Sequence, residues 1–266
     1  MSMARALVTA RALFVHSLAQ ATAYRAAIVI WMLSGMLPLL MMFVWMGLAK
    51  DGPIAGYGPT EFATYFLLVF FVRQMTKVAV VWDLDREIRL GDLSPKLLRP
   101  LDPVWQHAIH NLAERVVNFV VAVPPIALGL WLAGAWSLLE PSAIPGFAAA
   151  LAGAWLLHFI RQYAFGLLAF WTDQAVALEN AWFVLYIALG GGLAPIDLLP
   201  ESLQGVAFHL PFAYTIDFPV RVLMGKVSGS ALYFGLAAQA GWIVGFVILQ
   251  RVLWWRGLRR YGAVGA

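Results

Sequence analysis

Between Asp83 and Pro103 the chain reads DLDREIRLGDLSPKLLRPLDP, and ionisable side chains crowd it: Asp83, Asp85, Arg86, Glu87, Arg89, Asp92, Lys96, Arg99 and Asp102. Such a mixture of carboxylates and cations suits ion pairing, contact with lipid headgroups, or the docking of a protein partner. Asp83 and Asp85 resemble a pair of metal-binding carboxylates, but Arg86 and Arg89 beside them favour ordinary ion pairs. His107 and His110 are spaced to share a helix face. Without a third suitably placed ligand they read as interfacial histidines, and no metal site is expected. The sequence holds no His-Glu-x-x-His and no Ser/His/Asp arrangement for a hydrolase. It also lacks a glycine-rich phosphate loop. The nearest fragment, Met224-Gly225-Lys226, has neither the upstream glycine nor the following hydroxyl. If ATP is used, another chain binds it.

Composition sets where these residues can lie. Of 266 residues, 62% are hydrophobic and 12% charged, against about 25% charged in a soluble domain. This is the composition of a polytopic membrane protein. No cysteine is present, so disulfides and thiolate sites are excluded and the redox compartment cannot be read. A net charge of +4 in such a chain speaks to orientation and anionic lipid, and no nucleic-acid partner is expected. A charge at the bilayer centre costs about 2.5–3.5 kcal/mol, so the 83–103 stretch belongs at one face of the membrane.

The elements that would place it there are helices throughout. In residues 1–25, Arg5, Arg11, His16 and Arg25 interrupt an Ala- and Leu-rich helix former. An amphipathic interfacial helix fits, and no cleaved leader is expected. Six transmembrane helices are expected at about 26–48, 61–82, 110–134, 147–171, 181–195 and 230–250. Pro38 would kink the first. Arg73, Gln74 and Lys77 close the second, where they can snorkel. Asn118, Pro124 and Pro125 would break or bend the third, with Glu114 and Arg115 as anchors near its start. Residues 172–180, TDQAVALEN, read as a polar turn. Gly190, Gly191, Gly192 and Pro195 interrupt the fifth. Residues 196–219, broken by Pro200, Gly205, Pro211 and Pro219, read as a re-entrant hairpin of two short helices. They would dip into the outer leaflet before the last span, a backbone that protein or water must cover.

Six spans put both termini on one side. Arg5, Arg11 and Arg25, the cations of the polar loop, and Arg251, Arg256, Arg259 and Arg260 of the tail all fall there. The other face has only Lys50, Arg221 and Lys226. Positive loops stay cytoplasmic, so both termini and the 83–105 segment are expected in the cytoplasm, and the chain in the inner membrane.

Within the polar loop, Ser94-Pro95 reads as a helix start, with serine as cap and proline at the first helical position. Pro100 ends the element. A very short helix between Gly91 and Pro103 would then hold leucines between cations at the membrane surface. On the residues alone, it is equally a lever for a cytosolic partner or a plain surface loop.

Gly91, Leu93, Leu97 and Pro100 also fit a G-x-L-x-x-x-L-x-x-P pattern. Downstream come Pro195, Pro200, Leu210-Pro211-Phe212 and Pro219. In this order and spacing the chain resembles the permease subunits of type-2 ATP-binding-cassette transporters, in the less characterised branch whose paired permeases accompany one ATPase. The resemblance implies two permeases, identical or sisters, that form an export pathway in the bilayer. It implies separate cytosolic ATPases that carry ATP and Mg, no cofactor in this chain and no enzymatic site of its own. It makes the 83–105 segment the coupling element. The residues it would use are Arg86, Glu87, Arg89, Gly91, Asp92, Leu93, Ser94, Pro95, Lys96, Leu97, Leu98, Arg99 and Pro100, with the N-terminal helix packed beside them.

Inside the spans, Arg161 is the most costly ionisable residue and needs a partner, Glu179 or Asp173. Phe62, Phe66, Phe70 and Arg73 recur on one face of the second span. Phe66, Phe70, Arg73, Arg161 and Glu179 are the candidates for a pathway or subunit interface. An aromatic lining would suit an amphipathic substrate, though ordinary packing explains it as well. Two other functions compete. A membrane-embedded transferase would need a polar constellation, and Asp197, Glu201, His209 and Asp217 are sparse. An ion-coupled carrier would show an inverted repeat, and Arg161 has no mirror partner.

Overall fold

The computed structural model describes residues 3–23 and 35–261. Among them there is no β-strand, only an isolated bridge between Ile54 and Tyr57. The run from Phe62 to Val72 is apolar on every side, and a helix without a polar face must be buried all round. That helix, here α3 (Pro59–Thr76), is the axis of the fold, with Phe62, Tyr65, Phe66, Val69 and Val72 fully buried. Its start is set locally. The Glu61 carboxylate accepts from the Gly58 N–H at 3.1 Å, and Pro59 occupies the first turn. Against it pack α2 (Leu37–Leu48), α6 (Pro103–Leu132), α7 (Ile144–Gly166) and α10 (Asp217–Leu223). The N-terminal helix α1 (Met3–Ala23) lies along α6, and Ser17 meets His110 there at 3.2 Å.

Among the described residues, four stretches are long and apolar enough to cross a membrane: Pro59–Leu90, Pro103–Leu132, Pro141–Phe170 and Gly229–Leu258. The fifth expected span is α8 (Ala175–Leu189), apolar but only 15 residues long. At about 1.5 Å per residue it falls short of a hydrocarbon core of about 30 Å. Residues 26–34 of the first expected span lie outside the described residues, and α2 makes up most of its remainder.

Several local expectations change. Pro38 sits in the first turn of α2, where its missing N–H costs nothing, so it kinks no helix. Pro124 and Pro125 lie inside α6, which runs through them as one helix. The supposed 172–180 turn is helical from Ala175, which places Glu179 on α8. The 196–219 segment holds one short helix, α9 (Glu201–His209), and only the start of a second, α10, which runs on to Leu223. The second span, by contrast, stops at Thr76 and resumes at Val80 as α4 (Val80–Leu90), although no Gly or Pro marks the break. The cause is long-range. Arg115 Nη1 donates to the Gln74 carbonyl at 2.8 Å, and Asn111 Nδ2 to the Lys77 carbonyl at 3.4 Å. Trp155 Nε1 in turn donates to Asn111 Oδ1 at 2.8 Å. Carbonyls released by the break thus find donors on α6, which lets irregular backbone sit at this depth. Arg115 acts here as a backbone donor as well as an anchor paired to Glu114 at 3.1 Å.

The last helix, α11 (Gly229–Leu258), packs closely on α7. Gln239 donates to the Ala150 and Tyr214 carbonyls, each at 2.9 Å. This works because Gly153 stands opposite; a Cβ there would lie 2.1 Å from the Gln239 side-chain oxygen. Small residues that allow close approach, joined by polar contacts, are what hold helices together where lipid offers no hydrophobic drive.

Candidate functional site

The polar segment is built from α4 onward. Val80, Val81, Leu84 and Ile88 form one buried stripe, and Arg86 and Arg89 face outward. Arg86 pairs with Asp83 at 3.4 Å and Arg89 with Asp85 at 3.0 Å. Arg89 also reaches Asp173 at 3.2 Å. Gly91 ends α4 in the left-handed region, with φ 82°, the conformation that favours glycine at a helix C-terminus. The short helix α5 (Leu93–Leu97) follows at once.

Leu93, 0% exposed, pins α5 to the core. The helix begins one residue before Ser94, and no side chain caps it. The expected serine cap is therefore corrected: Ser94 Oγ lies 3.1 Å from the Tyr261 hydroxyl near the chain's end. Pro95 is accordingly the third helical residue and not the first. Glu87, on the buried stripe, accepts from Lys96 Nζ at 2.6 Å. His107 Nδ1 donates to the Pro103 carbonyl at 2.8 Å, and its Nε2 lies 3.1 Å from Lys96 Nζ and 3.2 Å from Glu87 Oε2. The exit from α5 is fixed by Gln106, whose Nε2 donates to the Lys96 and Leu101 carbonyls at 3.1 and 2.7 Å. Arg99 donates to Gln106 Oε1 at 3.1 Å. Asp102 caps α6 by accepting from the Val104 N–H at 2.9 Å, and it meets Arg251 of α11 at 3.6 Å.

The outcome is a one-turn helix held from α4, α6 and the C-terminal residues, with its outer side left open. Leu98 is 89% exposed and Leu97 37%, beside exposed Leu90 and Trp105. Asp92, Pro95, Arg99 and Pro100 share this surface. Of the residues expected here, Glu87, Lys96, Leu93 and Ser94 build the scaffold, and Leu97 and Leu98 face out. Gln106 and Tyr261 are scaffold residues that the pattern did not single out, and His107, read as an interfacial histidine, joins them. The only signal for Gln106 was a polar residue in the first turn of an otherwise apolar helix, and Tyr261 lies past the end of the last helix.

Within the bundle, Arg161 is 2% exposed and its partner is Glu179. Nη2 donates to Oε1 at 3.0 Å while Nη1 donates to Oε2. Gln162 Nε2 adds a third donor to Glu179 at 3.0 Å. The Arg161 guanidinium also lies over the Phe165 and Trp182 rings, at 5.1 and 5.0 Å from their centroids. Arg73, Arg161 and Glu179 come together at a cavity of about 630 Å³ beside the α3–α4 break. Arg73 and Lys77 thus turn inward rather than snorkel away. Phe66 and Phe70 do not line this cavity; both are packed in apolar clusters around α3.

At the opposite end Asp197 and Asp217 converge, which their spacing did not suggest. Tyr65 donates to Asp217 Oδ1 at 2.9 Å, and Tyr57 to Asp197 Oδ2 at 3.1 Å. Arg221 bridges both carboxylates at 3.2 and 3.6 Å. Burial, and then the Asp197 and Asp217 charges, hold the Tyr57 hydroxyl well above its ordinary pKa, so it stays a donor. Gly191, at φ 91°, passes so close that a Cβ would lie 2.4 Å from the Tyr65 hydroxyl. This network ties α10 and the turn at Ile196–Leu198 to the head of α3. Glu201 is exposed, and His209 bonds only within its own helix, to the Gly205 carbonyl at 2.7 Å.

Among the described residues no group of His, Cys, Asp or Glu gathers as a metal-ligand set. The model of a family described as "ABC-2 family transporter protein" matches residues 26–265. No curated protein matches the chain.

Proposed function

The chain therefore belongs to the ABC-2 transporter family as a membrane permease subunit, and we propose that it forms the pathway of an ATP-driven exporter in the inner membrane. The ATPase is a separate cytosolic chain, which carries ATP and Mg. A second permease, identical or a sister, completes the pathway. In this reading the chain crosses six times, α2 with the residues before it and α8 supplying the crossings beyond the four long apolar stretches. Both termini and α5 lie in the cytoplasm, and α9 and α10 dip into the outer leaflet.

One observation carries this reading. A one-turn helix is held rigid by Leu93, by the Glu87–Lys96–His107 cluster and by Gln106, yet it exposes Leu97 and Leu98. A rigid apolar knob on a cytoplasmic face suits a groove in a partner, since interface energy concentrates in a few well-packed anchors. The transferase alternative would need an open polar site, whereas Asp197, Asp217 and Arg221 engage one another and two tyrosines.

The reading is tested by affinity purification of the tagged full chain in mild detergent, with mass identification of what accompanies it. A cytosolic ATP-binding-cassette ATPase in stoichiometric amount is expected. A lone chain that remains folded would count against the reading.

A further inference from the structure

The cavity beside the α3–α4 break is polar in a way that internal packing does not explain. Arg73, Lys77 and Arg161 line it, with Glu179 and Asp83 as the acidic residues. Glu179 is occupied by Arg161 and Gln162, and Asp83 by Arg86. Among the described lining residues, the positive charge of Arg73 is therefore not matched by a carboxylate. Two buried donors also lack acceptors. Arg73 Nη1 is buried without a hydrogen-bond partner. His158 Nδ1 lies 3.4 Å from Arg161 Nη2, which can only donate. The hydrogen of a neutral His158 then sits on Nε2, and that atom too is buried without a partner. Buried donors left unpaired cost about 1–3 kcal/mol each, so they are kept where something fills them.

We propose that this cavity is a binding site for a phosphate-bearing amphiphile, whose phosphate oxygens accept from Arg73 and His158 while its apolar body leaves past Trp82 and Phe183. The remaining features fit that ligand. The volume of about 630 Å³ lies within the range of small-molecule sites, about 300–1,000 Å³. Trp82 and Phe183 are lining residues that are also exposed at the surface, as expected at the mouth of a site that admits an apolar chain. Gln162 Oε1, buried without a donor, can receive a hydroxyl from the headgroup. A guanidinium presents a planar fork of donors that matches phosphate oxygens. The site lies within one subunit and does not require the ATPase, so it can stand or fall apart from the export reading.

The test uses the purified full chain in phosphatidylcholine nanodiscs, with phosphatidic acid of the same acyl length as probe and native mass spectrometry as readout. Phosphatidic acid should be retained at least about tenfold more tightly than the phosphatidylcholine background. Arg73→Gln should lose that preference, since a charge-assisted hydrogen bond is worth about 1.5–3 kcal/mol. Arg73→Lys, which keeps the charge, should recover part of it and shows that loss is not a folding defect. Inorganic phosphate at millimolar concentration should fail to displace the lipid. Displacement by inorganic phosphate would assign the cavity to a free anion and overturn the amphiphile. Equal retention of phosphatidic acid by the parent chain and a folded Arg73→Gln would overturn the site altogether.

Discussion

Replacing Leu97 and Leu98 together by aspartate should abolish association with the cytosolic ATPase and leave the chain folded in the membrane. Both side chains are exposed, Leu98 almost wholly, so neither contributes much to the permease's own packing. If they are the anchors of an interface, each is a candidate for a loss of at least about 2 kcal/mol, and two introduced charges would add desolvation cost. The pair should weaken co-purification by well over about thirtyfold. Leu93→Asp is the contrasting control. Leu93 is fully buried beneath the same helix, so this change should disorganise the segment and lower the melting temperature, whereas Leu97→Asp with Leu98→Asp should not. Undiminished ATPase recovery by the double variant would remove α5 from the coupling role.

Glu179→Ala should be among the most damaging single changes in the bundle. It leaves Arg161 buried and charged with no carboxylate, and breaking a buried pair on one side costs about 3–5 kcal/mol. It also strips Gln162 of its acceptor. Replacing both partners, Arg161→Met with Glu179→Leu, should restore much of the lost stability, because an apolar pair of similar volume removes the orphaned charge. Thermal melting in detergent reads both variants. A single change as mild as the double would mean that Arg161 finds water or another partner, and that the pair does little for the fold.

The separation between what the sequence made legible and what it hid follows contact distance along the chain. The break after α5 is local: Pro100 forces it, and the short helix with its outward leucines was readable. The helical course of residues 80–90 was also written locally, in the spacing of Val80, Val81, Leu84 and Ile88, but the density of charge there reads first as a loop. Arg161 announced its need for a partner, and Glu179 was one of two candidates; Asp173, the other, is engaged by Arg89. By contrast, nothing in the local sequence marks the α3 break, because Arg115 and Asn111 impose it from another helix. The outer network was equally hidden. Tyr65 and Asp217 are 152 positions apart, and tyrosines in an apolar run read as membrane-belt aromatics until the fold sets a carboxylate beside them. Ser94 misled for a related reason: its pattern fits a helix cap, but Tyr261 competes for the hydroxyl.

The central claim is that α5 seats in a cytosolic ATPase, and site-directed crosslinking tests it most directly. The chain has no cysteine, so Leu98→Cys creates a unique thiol for a short photoactivatable crosslinker in intact membranes that contain the native partners. Ser142→Cys, in the loop between α6 and α7, provides the comparison from the opposite face. The account predicts a covalent adduct between residue 98 and a cytosolic ATP-binding-cassette ATPase, identified by mass, and none from residue 142. Adducts of residue 98 with lipid alone, or with nothing, would contradict it and leave α5 as a membrane-surface element.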